Sequence, residues 1–164
     1  MSEKNLRQGQ ALAMQWVIYA LQKLNLDIKN NGGVSKALRG DAKSASGSND
    51  LDVLSIGCDY VVNFILPFAL ELALKSLLLK EGQNADRIHG LINLYNNLPE
   101  STRNALEDNY FKEQNVKSIT IEKLLDNHKD DFINWRYLDN SESLKKNEKE
   151  MQLALCSILD ICNS

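Results

Sequence analysis

Two prolines and eight glycines are few for a chain of 164 residues. A many-turned β fold draws on both residue types at its turns, so their scarcity points to long helices. Cysteine is scarce too: Cys58, Cys156 and Cys162 form no CxxC pair and stand beside no histidine. That spacing excludes the usual zinc sets and predicts free thiols in a reducing cytoplasm. With only His89 and His128 as histidines, no metal centre and no cofactor is expected. The longest apolar stretch, residues 53–79, is interrupted by Asp59, Asn63, Pro67, Glu71 and Lys75. It lacks the ~20 uninterrupted apolar residues of a membrane span, so no membrane association is expected. The opening MSEKNLRQGQ does not place an apolar run after a basic start, as a signal peptide would. A net charge of −3 excludes a surface that is cationic overall, although a local basic patch stays open. GxGxxG, P-loop, HExxH and GxSxG patterns are absent.

What is present is a chain 43% hydrophobic and 25% charged, which is ordinary for a single domain spanning residues 1–164. From Asn5 to about Ile28, Leu6, Ala13, Val17, Ala20, Leu21, Leu24 and Ile28 recur at helical spacing, with Trp16 and Tyr19 beside them. Asn30-Asn31-Gly32-Gly33 stops that helix, because Asn and Gly accept the left-handed conformation. Residues 30–50 are rich in Gly, Ser, Asn and Asp and read as a mobile loop. A helix near 51–64 and a second over 66–81 are expected, divided by a kink or short break at Pro67, with an extended segment at Tyr60–Ile65 as the less favoured alternative and Gly82 closing the second piece. Shorter helices follow at about 86–98 and 100–112, separated by Pro99. Thr120 is placed to cap a helix running through Leu124, Leu125, Phe132 and Ile133 towards Tyr137. The last helix covers about 142–162, with Leu144, Met151, Leu155, Ile158 and Leu159 on its stripe. Five to six helices with mostly short connections imply an all-α fold, an antiparallel up-and-down bundle.

Residues 66–80 are apolar nearly all round, which marks a helix buried between neighbours. Glu71 and Lys75 lie inside it at i and i+4, the favourable order for an ion pair. They either pair on one wet edge or belong to a polar network at a cleft. His89 can join them if the chain folds back by about two helical turns. The densest polar-aromatic cluster is Asn134-Trp135-Arg136-Tyr137, with His128 two turns earlier. Arg136 offers a planar fork for a carboxylate or a phosphate, while Trp135 and Tyr137 can stack on a base or cap the core.

Three segments together resemble the HEPN superfamily of prokaryotic defence, toxin–antitoxin and RNA-processing proteins. They are Phe68-Ala-Leu-Glu71-Leu-Ala-Leu-Lys75, then His89-Gly-Leu-Ile-Asn-Leu-Tyr95-Asn-Asn-Leu-Pro99, and finally Phe132-Ile-Asn-Trp-Arg-Tyr137. The resemblance implies a helical bundle that forms a homodimer. Nuclease members carry an Arg followed roughly four to six residues later by a His, and two protomers juxtapose these motifs to cleave RNA without metal. Arg136 matches the Arg, but Asn140, Ser141 and Glu142 follow it, and no later residue is His. Candidate catalytic residues are therefore Arg136, His128 and His89. Glu71, Lys75, His89, Trp135, Arg136 and Tyr137 are the candidate ligand-binding set. Three functions stay open: a non-catalytic or weakly active binder of RNA, a nucleotide or a protein partner; a ribonuclease toxin with a displaced His; and a helical interaction module whose polar residues are structural.

Overall fold

The computed structural model describes residues 2–31, 48–85, 88–113, 119–129 and 147–164. Among these there are six helices and no strand: α1 (Glu3–Asn31), α2 (Ser48–Lys80), α3 (Leu91–Asn96), α4 (Glu100–Glu113), α5 (Ile121–Asn127) and α6 (Glu148–Asn163). This is the expected all-α helical bundle.

The axis of the fold is α2. Leu66, Ala69, Leu70, Ala73, Leu74, Leu77 and Leu78 are buried along it, and one apolar core draws residues from all six helices. Each fully buried Leu contributes about 1.5–3 kcal/mol over its exposed state. Gly57–Lys80 is long and apolar enough to cross a bilayer, but 72% of its most apolar window is buried inside the protein. Two helices divided at Pro67 were expected, yet α2 runs through it unbroken. Proline removes one backbone donor, and the buried residues on both sides hold the helix across that gap. The stop at Gly82 is as anticipated: its φ is 75°, Gln83 N–H donates to the Leu78 carbonyl at 2.9 Å, and Gly82 N–H donates to Leu79 at 3.2 Å. That pair of bonds is a Schellman cap.

α1 lies antiparallel to α2, with Lys4 beside Ser76 and Asn25 beside Asp59. It also lies antiparallel to α6. Gln8, Gln15 and Gln22, seven residues apart, donate to Asn163, Cys156 and Glu148 at 2.5, 2.9 and 2.5 Å. Its buried row is Ala11, Ile18, Asn25 and Ile28; of the stripe read from the sequence only Ile28 is buried, while Leu6, Ala13, Val17 and Ala20 are exposed. The reason is compositional. No acid or base stands between Arg7 and Lys23, so nothing in that segment marks a wet side and the phase of the helix is ambiguous.

The other boundaries differ at their ends. α3 begins only after Gly90, whose φ of 92° breaks the chain direction, so the helix expected from about 86 is shorter. α5 ends at Asn127, well before Tyr137. α1 and α2 take in residues at both ends of the expected 30–50 loop; 32–47 lie outside the described residues, as do 130–146 with Phe132, Trp135, Arg136, Tyr137 and Leu144.

Candidate functional site

Lys75 is placed on α2 by the same register that buries Leu74 and Leu78, and its side chain is only 6% exposed. A buried ammonium without a partner costs several kcal/mol, and Glu71 one turn earlier supplies the partner: Nζ lies 2.7 Å from Oε1. The Glu71 carboxylate, 16% exposed, sits at the boundary between core and solvent. Its Oε1 is also 3.2 Å from Nδ1 of His89, so one carboxylate oxygen holds a buried cation on one side and an imidazole on the other.

His89 reaches this position because the chain reverses after Gly82 and turns again at Gly90. A Cβ at Gly90 would lie 3.3 Å from Asn93 Nδ2, in a backbone conformation that side chains rarely adopt. Asn93 in turn donates to the His89 carbonyl at 3.3 Å. The His89 side chain is 73% exposed, in contrast to the Glu71 that it meets. When Nδ1 donates to Glu71, Nε2 keeps its lone pair, the arrangement of an imidazole that can take up a proton.

His128 comes to the same place by another route. It is the residue that ends α5, and it is buried. Asn147 Nδ2 lies 3.2 Å from its Nε2; an amide nitrogen can only donate, so in this orientation Nε2 accepts. The start of α5 is set by Thr120, whose hydroxyl accepts from Lys123 N–H at 3.2 Å, and by Glu107 of α4. The Glu107 carboxylate accepts from Ile121 N–H at 3.1 Å, Glu122 N–H at 3.2 Å and the Tyr95 hydroxyl at 3.1 Å. Burial, and then the Glu107 charge, push the Tyr95 hydroxyl well above its ordinary value. Glu107 thus ties α3, which follows His89, to α5, which precedes His128.

Between these elements lies an open-sided cleft of about 590 Å³. Pro67 and Glu71 of α2 form one wall, residues 89–93 a second, and Asp126, His128 and Lys129 a third. Its volume is in the range of small-molecule sites. Both histidines of the chain line it. Asp126 and Lys129, three residues apart on the third wall, form an exposed ion pair at 3.4 Å. Among the described residues, no group of three or more His, Cys, Asp or Glu side chains is placed to hold a metal ion.

Of the residues singled out in the sequence, Glu71, Lys75 and His89 are brought together, and His128 joins them rather than standing apart. Trp135, Arg136 and Tyr137 lie outside the described residues. Pro67, Asn93, Asp126 and Lys129 were not anticipated. Their positions depend on how α2, α3 and α5 pack together, which no local sequence pattern reports.

No curated protein and no solved structure gives a significant match to the chain. The sequence profile of the HEPN domain does match, over residues 61–161, a span that holds every wall of the cleft and leaves α1 outside it. The chain belongs to the HEPN domain family.

Proposed function

We propose that this protein is a HEPN-family binding domain, non-catalytic or weakly active, whose cleft between α2, α3 and α5 takes a nucleotide or a segment of single-stranded RNA. The observation that carries this reading is that both histidines line one cleft of ligand size together with the half-buried Glu71, which His89 contacts at 3.2 Å. Glu71 and Asp126 can accept from the amino groups of a base. Pro67 and Ile92 offer apolar walls, and Lys129 a cation for a phosphate. A purely structural role for the polar residues accounts for Lys75, which needs Glu71. It gives no reason for the placement of His89 at the cleft, since Lys75 already has its partner in Glu71 and the imidazole meets that carboxylate from the solvent side, 73% exposed.

A second reading is favoured by the Glu71–His89 contact. An imidazole oriented by a carboxylate can serve as a general base through its other nitrogen, so His89 replaces the His missing after Arg136 in a metal-independent ribonuclease. The family setting, prokaryotic defence or toxin–antitoxin function in the cytoplasm, is part of the proposal. So are a protein partner and a homodimer.

Thermal unfolding of the full chain with a panel of nucleotides and a short single-stranded RNA tests both readings. A ligand at 100 times its Kd raises stability by about 2.7 kcal/mol. The binding reading expects this with at least one ligand, and its loss in His89→Ala and Glu71→Gln. RNA cleavage without added metal, abolished by His89→Ala and by Arg136→Ala, selects the ribonuclease. No stabilisation by any ligand and intact RNA reject both in favour of an interaction module.

A further inference from the structure

Glu71 holds two neighbours with a single oxygen. Lys75 Nζ lies 2.7 Å from Oε1, and His89 Nδ1 lies 3.2 Å from the same atom. A carboxylate oxygen offers two lone pairs, so these contacts occupy Oε1 fully. Oε2 is not buried and has no hydrogen-bond partner among the described residues. Because Glu71 lines the cleft, this open oxygen is the one that a ligand there meets. The carboxylate is also held still and partly dried: Lys75, 6% exposed, fixes it from behind, and the Glu71 side chain is itself only 16% exposed. A pinned acceptor with little water around it separates ligands more sharply than a mobile, hydrated one. Asp126 on the third wall is the contrast, 57% exposed and paired with Lys129.

We propose that Glu71 is the specificity residue of the cleft: its Oε2 selects bases with an exocyclic amino group, such as adenine and cytosine, over hypoxanthine and uracil, which carry a carbonyl in the same place. This rests on the reading of the cleft as a nucleotide site and narrows it. Paired with Lys75, the carboxylate accepts hydrogen bonds and donates none. An amino N–H satisfies it. A carbonyl oxygen in that position sets lone pair against lone pair and leaves a half-buried acceptor unpaired. Turning the ring does not rescue the keto bases. The ring N–H of hypoxanthine lies directly beside its carbonyl and that of uracil between two, so either brings a carbonyl oxygen towards the carboxylate. Two donors on the walls that would receive such an oxygen are engaged elsewhere, Asn93 Nδ2 on the His89 carbonyl and Lys129 on Asp126.

The test is calorimetric binding of matched nucleoside monophosphates, and of short single-stranded RNAs of the same bases, to the full chain. Cytidine is compared with uridine and adenosine with inosine, so that within each pair an amino group is exchanged for a carbonyl. Expected is binding on the order of tenfold tighter for the amino member of each pair. In Glu71→Gln that member falls to the level of its keto partner. Gln leaves the Lys75 ammonium without its counter-charge, so Glu71→Gln combined with Lys75→Met is measured beside it, and the wild-type comparison needs no variant to fold. Equal affinities within both pairs, or tighter binding of the keto members, overturn the inference and leave the nucleotide reading standing. A preference that survives in both variants overturns the role of Glu71. Binding of none of these ligands overturns the nucleotide reading and the inference with it.

Discussion

α1 and α2 are 29 and 33 residues long and run side by side, yet they solve the burial problem in opposite ways. α2 carries charge inside its most buried stretch, and each charge there has a partner: Lys75 on Glu71, Glu71 on His89. α1 carries no charge through its middle, and that middle shows two aromatic rings to solvent. The presence of charge did not mark the wet side of a helix, and its absence did not mark the dry side. A charge in the core is stable when it is paired, and the pairing in α2 is what creates the polar edge of the cleft. An apolar face in water is common on monomers when residues are scattered and points to a partner when they cluster.

The largest test of this contrast is a cavity. Leu74→Ala on α2 removes a fully buried side chain and is expected to lower stability by about 3–5 kcal/mol in urea unfolding. Val17→Ala on α1, at a half-exposed position, falls within about 0.5 kcal/mol of wild type. Equal losses at the two positions would break the comparison.

Next is the ion pair. Glu71→Ala strands the Lys75 ammonium and is expected to cost about 3 kcal/mol, whereas Glu71→Leu combined with Lys75→Met regains most of the loss. If the double variant is as unstable as the single one, burial of Lys75 is not what Glu71 serves.

A third test uses the cysteines on the two faces of α6. Cys162 is buried with its thiol 3.8 Å from the Ala73 carbonyl of α2, and burial raises its pKa. Cys156 faces α1, bonded to Gln15, and is partly exposed. Alkylation of native protein should modify Cys156 before Cys162. Because the folded state holds the Cys162 proton more tightly than the unfolded one, this contribution is complete below the ordinary value of 9.0 and declines as pH rises above it. Cys162→Ala should flatten that alkaline decline, read as unfolding midpoint against pH. The smallest expected effect is Trp16→Ala, within about 0.5 kcal/mol of wild type in the one-copy form.

Much of this architecture was readable in local chemistry. Thr120 caps α5, Gly82 ends α2, and Pro99 opens α4, because each acts through its own backbone and its nearest turn. The i, i+4 spacing of Glu71 and Lys75 foretold their contact for the same reason. What escaped depends on tertiary packing. Pro67 reads as a break, and only its buried neighbours keep α2 whole. The face of α1 that packs inward is decided by α2 and α6, which the uncharged middle of α1 does not reveal. His128 lies 39 positions after His89 in the sequence, and no local pattern joins them; the Glu107 network does, by fixing α5 against α3 and α4.

The central claim is that Glu71, His89 and His128 form one ligand site. Long-range proton–nitrogen NMR of the two imidazoles, recorded on the full chain while a short single-stranded RNA or a nucleotide is added, tests it most directly. Both rings are expected to shift together along one saturating curve, and Glu71→Gln to weaken that curve. Imidazole signals that stay in place while the added ligand binds, or while every ligand is ignored, would contradict it.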